Sequence, residues 1–95
     1  MRQEDISGRI REGYTGMSKG QKRLADYIMN HYDKAVYLTA HRLGEEVGVS
    51  ESTVVRFATE LGYEGYPELQ EALEEMVRAR LTSIQRIEVA KGWLD

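Results

Sequence analysis

Cysteine is absent from the sequence. That excludes a disulfide framework and any zinc site built on thiolates, and it fits a reducing cytoplasm, the expected location. Proline occurs once. So few breakers, with few β-branched runs, favour an all-α fold. No apolar run approaches the roughly 18 residues of a membrane span. The opening residues MRQEDISGRI lack the apolar core of a signal peptide. The two histidines, His31 and His41, have no companion cysteine or carboxylate at metal-ligand spacing, so neither a metal nor a cofactor is expected. Also missing are a glycine-rich phosphate loop, a Ser/His/Asp set, an internal repeat and a low-complexity segment. The acidic pairs Glu45/Glu46 and Glu74/Glu75 read as solvated helix faces. Nothing in the chain points to catalysis.

Excess positive charge is lacking as well. The chain of 95 residues, enough for one small domain and core, carries a net charge of −3. That total argues mildly against a nucleic-acid partner, so the distribution matters. In residues 18–42, Lys19, Lys22, Arg23, Lys34 and Arg42 outnumber Asp26 and Asp33. In residues 43–62, Arg56 stands against Glu45, Glu46, Glu51 and Glu60, and the C-terminal third is also acidic. A phosphate-facing edge built from these cations is thin.

What is present is a strong local pattern in TAHRLGEEVGVSESTVVRFATELG, residues 39–62. Thr39 and Ser50 are N-caps, whose hydroxyl oxygens accept from early unpaired backbone N–H groups. Leu38 with Leu43, and Val49 with Val54, form hydrophobic staples across those caps. The spacing predicts one helix over Ala40 to Val47, a turn at Gly48 and Val49, and a second helix from Ser50 to about Leu61. Gly62 supplies a left-handed stop. Leu43 and Val47 share one face of the first helix, and Val54, Phe57 and Leu61 share one face of the second. Gly44 is small where the helices must approach, and Gly48 can take positive φ. The unit is a helix-turn-helix. Glu51, Ser52, Val55, Arg56 and Thr59 point away from its apolar face, where a DNA-binding example reads base edges in the major groove.

Elsewhere, residues 2–13 suit a short helix with Ile6 and Ile10 one turn apart. Ser18 and Gln21 form a capping box. The helix that follows, to about His31, has Leu24, Ala25, Ile28 and Tyr32 as its buried stripe. Asp33 is expected to cap a short turn from Lys34 to Tyr37. Tyr63 and Tyr66 read as core plugs, and Pro67 suits the first turn of a last helix. Leu69, Leu73, Met76, Leu81, Ile84 and Ile87 mark a long apolar stripe, extended by Val89, Trp93 and Leu94. The stripe exceeds what one small domain needs, which favours a homodimer.

Residues 18–73, SKGQKRLADYIMNHYDKAVYLTAHRLGEEVGVSESTVVRFATELGYEGYPELQEAL, carry a resemblance. The run Ser18, Leu24, Ala25, Tyr27, Ile28, then Val49, Ser50, Thr53, Val54, Val55, Arg56, Phe57, then Leu61, Gly62, Tyr63, Gly65, Tyr66, Glu68, Leu69 resembles the N-terminal domain of the RpiR (MurR/RpiR) bacterial transcription regulators. It covers about residues 5–80. The resemblance implies operator binding upstream of sugar-catabolism genes, and a following sugar-phosphate-binding domain of the sugar isomerase type. That second domain is absent from these 95 residues, so the chain is expected to be an excised fragment or a stand-alone relative. Any sugar-phosphate effector would act only through that absent domain. The family often has Phe or a basic residue where this chain has Tyr66 and Gln70, and Gln70 leaves less positive charge beside the reading helix.

The expected architecture is therefore an all-α domain of about five helices over residues 1–80, with a C-terminal helical arm or linker over 81–95. Its expected partner is double-stranded DNA, with no membrane. Ser50 and Thr53 hold phosphates or cap the helix. Glu51, Ser52 and Arg56 face base edges, Arg56 as a bidentate guanine reader. Lys19, Lys22, Arg23 and Arg42 position the backbone. The rival reading is a helical protein-interaction or dimerisation domain without DNA binding, supported by the acidic total and the long apolar arm.

Overall fold

Helix ends in this chain are set by side chains that satisfy the backbone N–H groups a helix start leaves unpaired. In the computed structural model, which describes residues 5–94 and the side chains of residues 5–80, each of the four helices before the last that is longer than one turn starts on such a cap. Helix α1 spans Ile6–Gly13, and the Asp5 carboxylate accepts from the Gly8 N–H at 2.9 Å and from the Ser7 hydroxyl at 2.9 Å. Those bonds hold the Asp5 carboxyl below the usual carboxylate range. A 3₁₀ turn, Tyr14–Gly16, leads to α2, Lys19–Asn30. Here the capping box is complete: Ser18 Oγ accepts from Gln21 N at 3.2 Å, and Gln21 Oε1 accepts from Ser18 N at 3.0 Å.

Helix α3 is one turn, Tyr32–Ala35. It begins earlier than the expected Lys34, and Asp33 lies inside it rather than capping it. His31 ends α2 and starts α3, and its carbonyl accepts from Lys34 N at 3.0 Å and Ala35 N at 2.9 Å. Helices α4, Ala40–Val47, and α5, Glu51–Glu60, form the helix-turn-helix, and α6 runs Tyr66–Leu94. The described residues thus hold six helices and no strand. Leu81, Ile84, Ile87, Val89, Trp93 and Leu94, which extend the apolar stripe in sequence, have side chains outside the described set.

One core joins all six helices. Ile6 and Ile10 of α1, Leu24, Ala25 and Ile28 of α2, Ala35 of α3, Leu43 of α4, Val54, Phe57 and Ala58 of α5, and Leu69, Leu73 and Met76 of α6 are buried together. Tyr66 is buried too. Its hydroxyl donates to Leu38 O, and burial pushes its pKa up to about 12. Gln70 reaches the same segment, donating from Nε2 to Val36 O at 3.0 Å and Leu38 O at 3.2 Å. Those two bonds tie α6 to the segment that leads into α4.

Both helices of the helix-turn-helix stop at left-handed glycines. Gly48 has φ +88° and Gly62 has φ +99°. After Gly62, Tyr63 N donates to Ala58 O at 3.1 Å and Gly62 N to Thr59 O at 3.0 Å, the pair of bonds that closes a helix C-terminus. Arg9 of α1 secures this corner. Its guanidinium donates to Leu61 O at 3.0 Å and lies 4.6 Å from the centroid of the half-buried Tyr63 ring.

Candidate nucleic-acid interface

Burying Val54, Phe57 and Ala58 decides which side of α5 faces outward. Successive helical residues turn by ~100°, so Glu51, Val55, Thr59, Ser52 and Arg56 fall within an arc of about 140° opposite that core face. All five are exposed, and together they line a shallow, open depression on the surface of α5. The structure thus brings together Glu51, Ser52 and Arg56 from the expected site, with Val55 and Thr59 between them. The Thr59 hydroxyl donates back to Arg56 O at 2.9 Å.

Ser50 and Thr53 have a structural role here. Ser50 Oγ accepts from Thr53 N at 3.2 Å and lies 2.9 Å from Thr53 Oγ1. They cap α5, which is one of the two roles their positions allow. The contact between the two hydroxyls uses one of their two hydrogens, and the other is a donor at the start of a helix, where an anion is favoured.

Gly44 fixes how α4 meets the turn. A Cβ on Gly44 would lie 2.7 Å from Val49 O and 3.4 Å from Ser50 C. Helix α4 therefore packs directly on the backbone of the turn, one residue before the α5 cap. A second close approach comes from α2. A Cβ on Gly20 would lie 3.2 Å from Val49 Cγ1 and 3.9 Å from Thr53 Cγ2. The start of α2 is thereby set against the start of α5, and Gln21 Nε2 donates to the Glu60 carboxylate. Sequence reasoning missed this contact; a glycine in the first turn of a capped helix, where nothing local requires it, was the available signal.

That docking sorts the cations of α2. Lys19 and Arg23, four residues apart and both exposed, share the helix edge beside Gly20. Lys22 has its Nζ 5.4 Å from the centroid of Tyr14, whose hydroxyl donates to Asp26 Oδ1 at 3.1 Å. Arg42, in the first turn of α4, has its Nε 3.9 Å from Glu45 Oε1.

His41 lies between two carboxylates, neither of which makes a metal-binding group with it among the described residues. Its Nε2 lies 3.6 Å from Glu45 Oε1, one helical turn on, and its Nδ1 lies 3.5 Å from Glu51 Oε1. The tight turn at Gly48 brings the first residue of α5 back beside the first turn of α4, a proximity that linear spacing conceals. All these groups are well exposed, so each contact contributes little to stability. Their effect is to set a mixed-charge rim beside the exposed face of α5.

This arrangement has counterparts. The sequence model of the rpiR-family helix-turn-helix domain matches residues 5–80. The chain is 44% identical over 72 residues to the HTH-type transcriptional regulator YfhH of Escherichia coli (strain K12), a stretch covering 76% of this chain and 26% of YfhH. It is 32% identical over 73 residues to the HTH-type transcriptional regulator CPE0189 of Clostridium perfringens (strain 13 / Type A), again 76% of this chain and 26% of the relative. The chain thus spans about a quarter of the length of these relatives. Among solved structures, the Vibrio vulnificus NanR protein complexed with ManNAc-6P is similar with a TM-score of 0.74 and 25% identity, over 92% of this chain and 33% of NanR. With caps, turn glycines, buried face and exposed face all in register over the matched residues, the chain belongs to the rpiR family of helix-turn-helix transcription regulators.

Proposed function

We propose that this chain is the operator-binding part of a bacterial regulator of sugar-metabolism genes, working in the cytoplasm as a homodimer. The observation that carries the DNA reading is the face of α5: five exposed residues opposite a fully buried one, beside a helix-turn-helix closed by Gly48. In this reading α5 lies in the major groove with Glu51, Ser52 and Arg56 toward base edges. Lys19, Arg23 and Arg42 meet phosphates on either side, and Lys22 is a more distant contributor. The sugar-metabolism role is supported by the NanR likeness, since that protein is complexed with a sugar phosphate. An effector of that class would act through a domain outside these residues.

Selection of bound duplexes from a random DNA pool tests this reading. A reproducible enriched sequence supports it. The rival reading, a protein-interaction domain, yields no enrichment. With the selected duplex in hand, Arg56→Ala is expected to cost roughly 1–3 kcal/mol of specific binding and to relax preference at one position per half-site. Arg56 is exposed, so fold loss does not confound the measurement. Unchanged affinity and preference would remove Arg56 from the reading set.

The dimer has its own test. Two reading helices about 34 Å apart on successive groove faces would let a weakly basic domain engage two half-sites at once. The sequence stripe through Leu81, Ile84 and Ile87 continues the register of the buried Leu69, Leu73 and Met76. A chain ending at Arg80 is expected to sediment as a monomer and to bind the selected duplex at least tenfold more weakly, roughly the low end of what linking two sites gives. A full chain that is monomeric at high micromolar concentration, or a shortened chain that dimerises and binds equally well, would show that the arm is not the dimer element.

A further inference from the structure

We propose that Val55 is a specificity-determining residue that reads the 5-methyl group of thymine in the major groove. The inference rests on the DNA-reading role of α5 and assigns its centre. Val55 and Tyr37 are the exposed large hydrophobic residues among those described, Val55 at 39% and Tyr37 at 83%. Tyr37 carries a hydroxyl and sits between α3 and α4. Val55 has no polar atom and sits on the outward face of α5, with Ser52 one turn before it and Thr59 one turn after. Glu51 and Arg56 complete the depression around it.

The fold does not ask for valine there. The side chain lies off the face that buries Val54, Phe57 and Ala58, and a β-branched residue is a poorer helix former than the alanine, lysine or glutamate that an exposed position accepts. What Val55 creates is a single apolar spot ringed by hydroxyl, carboxylate and guanidinium groups. Its complement is an apolar group of methyl size embedded among hydrogen-bonding groups. In unmodified DNA, the edge of one base offers that in the major groove: thymine, whose C5-methyl stands beside the O4 acceptor. The Ser52 hydroxyl, three residues earlier on the same face, is placed to donate to an acceptor next to the methyl. The position read by Val55 should therefore adjoin the one whose preference Arg56→Ala relaxes.

The test uses the full chain and a duplex selected from a random DNA pool. Each thymine is replaced in turn by deoxyuridine, which removes the methyl and keeps every hydrogen-bonding group. At one position per half-site, uracil is expected to weaken binding about fourfold, the effect of one methyl group left in water. Val55→Ala, an exposed change toward a better helix former, should weaken binding of the thymine duplex by a similar factor and abolish the uracil penalty. Arg56→Ala should leave that penalty intact. A uracil scan that is flat for the wild-type chain, or a Val55→Ala chain that keeps the same penalty at the same position, would overturn the assignment while leaving DNA binding in place. A pool that yields no enriched sequence would overturn both this assignment and the DNA reading beneath it.

Discussion

Gly44→Val is expected to destabilise the domain by about 3 kcal/mol, at the upper end of what overpacking costs. The physical reason is the nature of the neighbour. A Cβ at Gly44 meets the Val49 carbonyl oxygen at 2.7 Å, a backbone atom that cannot rotate away. Val49 N also donates to Gly44 O at 2.9 Å, so separating α4 from the turn weakens the bond that closes α4. Gly48 offers the contrasting case. Nothing lies within 4 Å of a Cβ there, but its φ of +88° is one that L side chains rarely adopt. Gly48→Val should therefore cost less, about 1–2 kcal/mol, all of it backbone strain. Urea titrations of the two variants check the order. Equal midpoints, or a Gly44→Val midpoint equal to wild type, would mean that the turn does not rest on α4 as described. A loss of 3 kcal/mol is a large share of the roughly 5–15 kcal/mol that holds a small domain folded.

The helix-turn-helix was legible because its signals are local. A hydroxyl cap, a staple and a stop glycine each act within four or five residues. The expected helix Ala40 to Val47 agrees with the observed one at both ends, and α5 agrees to within a residue. Where two signals compete, local reading fails. Asp33 looks like a cap, but α2 and α3 share His31 as their junction, which leaves Asp33 inside the short helix. Contacts across the chain were mostly hidden. Gly44 lies where the two helices approach, as expected, but the atoms it abuts, Val49 O and the backbone of the Ser50 cap, are not named by helical period. Gln70 reads in sequence only as a neutral residue, and its bonds to two carbonyls more than thirty residues earlier, Val36 O and Leu38 O, are invisible there.

The candidate interface divides in the same way. Its reading face follows from helical period alone, because Val54, Phe57 and Ala58 fix what must be inside. The flanking cations do not. Lys19, Lys22 and Arg23 are near neighbours in sequence, yet Lys22 alone of the three lies over the ring of Tyr14, a contact that the sequence does not announce. His41 meets Glu45 by helical period, but Glu51 reaches it only because the Gly48 turn folds α5 back on α4.

That sorting leads to a quantitative expectation for salt. Each phosphate neutralised on duplex DNA contributes about −0.9 to the slope of log affinity against log salt. With Lys19, Arg23 and Arg42 as phosphate contacts, one protomer should show a slope of about −2.7, so raising salt from ~50 to ~200 mM weakens binding about 40-fold. A symmetric dimer doubles the slope to about −5.4, and the same change in salt then weakens binding by roughly three orders of magnitude. Glu45 beside Arg42 weakens binding overall, but a fixed carboxylate does not release counterions from DNA and does not flatten the slope. Alanine at Lys19, Arg23 or Arg42 should each reduce the slope by about 0.9 per protomer while leaving sequence preference unchanged, the reverse of the Arg56→Ala pattern. Alanine at Lys22, held over Tyr14, should change the slope least. Fluorescence titrations of one duplex across a salt series measure all of these. A slope near zero would exclude phosphate contact by this edge, and a full 0.9 loss at Lys22 would show that the cation leaves the Tyr14 ring to meet the DNA.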